Sequence, residues 1–115
     1  MENKWLGAVL ITGMLCVAQT TYAQNTASVD RGMKVYADQK CSVCHSIAGK
    51  GNAKGMLDDV GSRLTAEEIR SWIVSPAEMT KKTNAPRKPP MRAYANLPKE
   101  DLDGLIAYMM SLKKK

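Results

Sequence analysis

Cys41 and Cys44 stand three positions apart, and His45, the only histidine in the chain, follows the second thiol immediately. On one helical turn, two thiols at this spacing can each add to a vinyl group of a heme, giving two thioethers that hold the porphyrin by its edge. The next residue then offers an imidazole nitrogen to the iron. Cys41-Ser42-Val43-Cys44-His45 is therefore read as a C-x-x-C-H attachment signature for one covalent heme c and its iron. Other uses of paired cysteines fit less well. A thioredoxin-like redox pair belongs in a βαβ pattern, a zinc site needs four ligands, and a disulfide with a bystander histidine has no further support.

With one imidazole available, two-histidine ligation is excluded, and a sixth ligand must be another group. A methionine thioether is a soft, neutral donor that favours ferrous iron and raises the reduction potential. Met1 and Met14 fall near the N-terminus, Met33 precedes the attachment motif on the same expected helix, and Met109 and Met110 belong to the last expected helix, where Met109 continues an apolar stripe. Met56, Met79 and Met91 remain, all in expected loops. Lys88-Pro89-Pro90 ahead of Met91 favours a stiff, extended backbone able to present a side chain. Met91 leads, with Met79 and then Met56 as the alternatives.

These residues need elements to hold them. Three stretches read as helix and none as an alternating strand, so the fold class expected is all-α. The first helix is expected after Ser28, with Val29, Met33, Tyr36 and Ala37 at helical spacing, running into Cys41. The second opens with a capping box at Thr65-Ala66-Glu67-Glu68, carries Ile69, Trp72 and Ile73 on one face, and stops at Pro76. The third starts near Pro98 with the stripe Leu102, Leu105, Ile106 and Met109; acids at its start and lysines at its end suit the helix dipole. Two long connections, residues 46–64 and 75–97, lie between them, rich in Gly and Pro respectively. Loops of that length in a small domain call for a reason, and wrapping a bulky cofactor supplies one.

Residues 1–23 have the layout of an export signal: Lys4, an apolar run from Trp5 to Ala18, then small and polar residues ending at Ala23. Cys16 follows Leu15, where a lipid-attachment signal needs a small residue. The expected organisation is a signal peptide over residues 1–23 and one domain over 24–115, with periplasmic localisation and no stable membrane insertion after cleavage. That domain has no phenylalanine and few other aromatics, so its core is thin without a cofactor. The net charge of +6 is retained, because Glu2 and Lys4 leave together. It favours acidic protein partners or anionic surfaces.

Taken together, the motif, the helices and the Met-bearing loop resemble the class I cytochromes c, small soluble bacterial carriers of one heme. The resemblance covers about residues 29–112. It includes Gly32 and Tyr36, Val60-Gly61-Ser62-Arg63, Trp72-Ile73, Pro90-Met91-Arg92-Ala93-Tyr94, and Leu105-Ile106-Ala107-Tyr108. It implies three main helices with long loops wrapped around one heme, and a close crossing of the first and last helices. It further implies that Trp72 and Arg63 contact heme propionates and that Tyr94 packs on the heme edge. The family usually has Gly-Pro where this chain has Gly55-Met56, and that proline's carbonyl receives the proximal histidine's ring proton; another backbone carbonyl can serve in its place. The departure puts Met56 on the histidine's side of the heme.

The function expected is single-electron transfer between redox proteins with acidic docking surfaces. Lys81, Lys82, Arg87, Lys88 and Arg92 would form a basic ring around Met91. No acid-base pair of an enzyme, no nucleic-acid partner and no oligomer is expected. The alternatives are a gas-binding or sensing heme protein with an open sixth position, and a cytochrome subunit of a larger oxidoreductase complex.

Overall fold

The computed structural model describes residues 17–115, with side chains described from residue 25. The chain runs α1 (Val17–Asp38), β1 (Ser46–Ile47), β2 (Lys50–Gly51), α2 (Val60–Arg63), α3 (Ala66–Val74), α4 (Pro76–Thr83) and α5 (Lys99–Ser111). Short 3-10 turns cover Cys41–Val43 and Ala53–Gly55. The fold is all-α; among the described residues the strand content is one small hairpin with two residues in each strand.

α1 begins earlier than expected. Ser28 lies inside it, because Val17–Ala27 contains no Gly or Pro to interrupt a helix. Most of the expected export signal lies outside the described residues; its last part, from Val17, continues as helical backbone through Ala23 and Gln24. The buried face of α1 also differs from the expected stripe. Gly32 and Val35 are buried, while Met33 is 49% exposed.

The crossing of α1 on α5 explains Gly32. A Cβ there would lie 2.0 Å from the Gly104 carbonyl oxygen and 2.6 Å from the Tyr108 Cβ. Backbone meets backbone at this point, and the propensity cost of glycine in mid-helix is the cost of that approach. Next to the crossing, the Tyr36 and Tyr108 rings meet edge to face, with centroids 5.9 Å apart. Arg31 donates to Asp101 at 2.7 Å on the outer side.

The core gathers on this pair. Leu105, Ile106 and Met109 of α5 pack with Val35, with Val60 of α2 and with Ile69 and Ile73 of α3. α3 starts where its capping box places it. Thr65 Oγ1 accepts from the Glu68 N–H at 3.2 Å, and Glu68 Oε2 accepts from the Thr65 N–H at 3.1 Å. The α2 turn is tied to the end of α5 by the Gly61 N–H, which donates to the Leu112 carbonyl at 2.8 Å.

The second connection is not the loop expected. Pro76 stops α3 and at the same time opens α4, because proline at the first turn of a helix loses no hydrogen bond. Met79 is consequently a buried helical residue. α4 closes at Asn84, whose φ of 51° is left-handed. From residue 85 to 98 the chain is irregular. It bends at Lys88 and Pro89, whose peptide bond is cis, before reaching Met91. The Tyr94 N–H, donating to the Ile73 carbonyl at 2.8 Å, returns this segment to α3.

Candidate functional site

The attachment motif is folded as one tight turn. α1 ends at Asp38, and Lys40 takes a left-handed conformation (φ 56°) that redirects the chain. The Cys44 and His45 N–H groups both donate to the Cys41 carbonyl, at 3.1 and 2.9 Å. A second segment clamps this turn. The Asn52 N–H donates to the Ser42 and His45 carbonyls at 3.1 and 3.0 Å, and Asn52 Nδ2 donates to the Val43 carbonyl at 3.3 Å. Gly51 permits the approach. Its φ is +111°, and a Cβ on it would lie 2.1 Å from the His45 carbonyl oxygen. The hairpin that delivers Gly51 turns through Ala48 and Gly49, both at positive φ, as a two-residue hairpin favours.

His45 Nδ1 lies 3.0 Å from the Gly55 carbonyl oxygen. A carbonyl can only accept, so Nδ1 carries the proton and the lone pair of Nε2 is free to bind a metal. Burial pushes the imidazole below its usual pKa; the Gly55 bond opposes this, and the Arg87 guanidinium adds to it. The shift favours the neutral ring, the form that ligates. The acceptor is the Gly55 carbonyl, so another backbone carbonyl does serve in place of the usual proline's; Met56, one residue on, is 61% exposed. Glycine is needed here, since a Cβ would lie 2.3 Å from the Cys44 carbonyl oxygen and 2.9 Å from His45 Nδ1.

Cys41, Cys44 and His45 line a cavity of about 460 Å³ whose other walls come from every long helix. α1 contributes Tyr36, α3 contributes Ile69, Trp72 and Ile73, α4 contributes Thr80 and Thr83, and α5 contributes Leu105 and Met109. The irregular segment supplies Ala85, Arg87, Pro89, Pro90 and Met91. Both cysteines are unpaired thiols, and burial pushes that of Cys41 up. Of the residues expected from the resemblance, Trp72 and Arg63 line the cavity. Arg63 is also engaged by Asp59, with Nε to Oδ1 at 2.7 Å. Tyr94 is half-buried against the core and does not line the cavity. Among the loop methionines expected as ligands, Met91 lines it, whereas Met79 and Met56 do not.

Some lining residues carried no site role in the sequence. Thr80 and Thr83 come from α4, whose Ser75-Pro76-Ala77-Glu78 start is a legible helix N-terminus. Tyr36 is legible as a helix contact, yet its hydroxyl is buried without a hydrogen-bond partner among the described residues. Burial pushes its pKa up to about 12. Arg87 read as surface charge, but its Nη2 donates to the Cys44 carbonyl at 2.7 Å.

The comparisons with known proteins bear on the same residues. A family model described as cytochrome c matches residues 29–113, about three quarters of the chain. The chain belongs to the cytochrome c family. It is also 31% identical over 93 residues to a protein named cytochrome c oxidase subunit 2, from Alkalihalophilus pseudofirmus. That match covers 73% of this chain and 25% of the relative, so the chain spans about a quarter of the relative's length. No solved structure matches the chain significantly.

As a member of the cytochrome c family, the protein binds heme c covalently with its iron. The residues present fit that group. Two free thiols and an imidazole whose Nδ1 proton goes to a backbone carbonyl line an apolar cavity of ligand size. Cys41 and Cys44 would hold the porphyrin and His45 the iron. When bound, the heme supplies a one-electron iron couple.

Proposed function

We propose that this cytochrome c is a diffusing single-electron carrier with His45 and Met91 as axial ligands, exported to the periplasm behind residues 1–23. The ligand reading rests on one observation: Met91 lines the cavity that Cys41, Cys44 and His45 line, while Met79 is buried in α4 and Met56 is largely exposed. Met109 also lines the cavity, but it is packed in the helix core with Leu105 and Ile73. A thioether at the sixth position favours the reduced iron, and the apolar lining keeps water from competing for it. The chain's part is to hold two ligands and exclude solvent; it turns over no substrate of its own.

Exposed Lys81, Lys82, Lys88 and Arg92 lie in or next to the segment that bears Met91, and would meet an acidic partner by long-range attraction. A second reading is favoured by the relative's name: the chain is a cytochrome domain that serves one oxidase complex. Recovery of the native protein in a stable complex, rather than as a small free species, would favour that second reading.

The ligand assignment is tested with Met91→Ala. The ferric variant should lose the weak red charge-transfer band of iron bound to thioether sulfur, its potential should fall, and its ferrous form should bind carbon monoxide. Met79→Ala should change none of these. Loss of the band in Met79→Ala with its survival in Met91→Ala overturns the ligand assignment. Wild-type protein that lacks the band and binds carbon monoxide freely would instead favour the gas-binding alternative.

A further inference from the structure

Arg87 departs from the basic residues around it. Lys81, Lys82, Lys88 and Arg92 are exposed, whereas Arg87 is half-buried and turned inward. Its Nη2 donates at 2.7 Å to the Cys44 carbonyl, across 43 residues of sequence. Its Nη1 occupies space beside Gly55: a Cβ on Gly55 would lie 2.4 Å from it. The guanidinium therefore sits where a side chain at position 55 would sit, next to the carbonyl that receives the His45 ring proton. The residue bringing it there belongs to the same irregular segment as Met91, four positions earlier.

We propose that Arg87 is a positioning residue that clasps the Met91 segment onto the heme attachment turn and fixes a positive charge beside His45, raising the reduction potential. This rests on the axial-ligand reading above. Two physical consequences follow. Guanidinium does not deprotonate in proteins, so the charge is constant over the working pH range. Reduction lowers the charge at the iron by one, so a nearby fixed positive charge favours the reduced state, more strongly in a cleft poor in water than at the surface. The clasp itself is a charge-assisted hydrogen bond to a backbone carbonyl, stronger than a neutral one. Opening the Met91 segment must break it.

The experiment compares holoprotein carrying Arg87→Gln, Arg87→Leu, Arg87→Lys or Lys88→Gln with wild type. Potentials are read by spectroelectrochemical titration, and cyanide binding to the ferric form reports opening of the Met91 segment. Arg87→Gln, which keeps an N–H donor but no charge, should lower the potential, and Arg87→Lys should restore it. Lys88→Gln removes the same charge from an exposed neighbour and should shift the potential less than Arg87→Gln. Cyanide should bind Arg87→Leu about tenfold faster than wild type, the share of one charged hydrogen bond. Should Arg87→Leu give little holoprotein, the Gln and Lys variants carry the test. Equal potentials in wild type and Arg87→Gln, no recovery in Arg87→Lys, or an equal drop in Lys88→Gln would overturn the proposal. The potential reports charge beside His45 whatever fills the sixth position. A failure of the Met91 assignment, seen in the charge-transfer band, is therefore distinguishable from a failure here.

Discussion

Replacing Gly32 with alanine sets two effects against each other, and their magnitudes decide the outcome. In an isolated helix the change would gain about 1 kcal/mol, because alanine is the better helix former. At the α1–α5 crossing, however, the new Cβ would lie 2.0 Å from the Gly104 carbonyl oxygen, where ordinary contact begins at 3.4 Å. The obstacle is backbone, so no rotamer change relieves it. The helices must part by roughly 1.4 Å, and a radial gap of even 0.5–1 Å forfeits a quarter to a half of a dispersion contact. The contacts of Val35, Leu105 and Tyr108 would all suffer. Overpacking of this kind costs about 1–3 kcal/mol, and an unyielding backbone puts Gly32 at the upper end, leaving a net loss near 2 kcal/mol. At about 4–8 °C per kcal/mol for a domain of this size, the melting temperature should fall by roughly 8–16 °C. The assay is thermal unfolding of ferric holoprotein, followed by far-ultraviolet circular dichroism. Gly104→Ala supplies the comparison: its Cβ would lie no closer than 3.1 Å to any neighbour, so the propensity gain should nearly cancel a slight crowding. A Gly32→Ala melting temperature equal to or above wild type would show that the crossing does not require a glycine at 32, and equal losses at both glycines would refute the Cβ distances as the cause of the difference.

Thr65→Ala should remove the α3 capping box and cost about 1 kcal/mol, lowering the melting temperature by about 4–8 °C; an unchanged transition would mean the box is dispensable. Reversing Lys81, Lys82 and Lys88 to Glu should slow reduction by an acidic partner at low salt, with the difference shrinking as the Debye length falls below about 10 Å near 0.1 M salt; matching rates at every ionic strength would remove the docking role. Alkali should erode stability through Tyr36. Its folded pKa is raised from 10.0 to about 12, so the unfolded chain loses the proton first, and stability present below pH 10 is lost as pH rises toward 12. Tyr36→Phe should flatten that part of the melting temperature against pH profile, and an unaltered slope would assign the loss to other groups.

The parts of this fold that were legible in the sequence are those written locally. The attachment turn follows from the adjacency of Cys44 and His45, α3 from a capping box four residues long, and α5 from its apolar stripe and dipole-matched charges. α4 escaped because Pro76 carries two meanings: it ends one helix and begins another, and only the first was read. That omission left Met79 beside Met91 as a loop candidate, when the helix turns Met79 into the protein interior. The resemblance implies the crossing of the first and last helices, but the residues by themselves do not reveal complementarities between distant positions. Gly32 suggested a close approach, but its partner Gly104 lies 72 positions on, in a stripe that reads as complete without it. Gly55 and Arg87 are the sharper case. One lacks a side chain and the other fills the space so left, yet neither fact has a periodicity or a spacing to betray it. A glycine in a Gly-rich stretch and an arginine in a basic stretch are each what the surrounding composition predicts. Their pairing becomes visible only once the Met91 segment is folded back over the attachment turn. For the same reason Arg87, beside the carbonyl that holds the His45 ring, reads in the sequence as solvated surface charge.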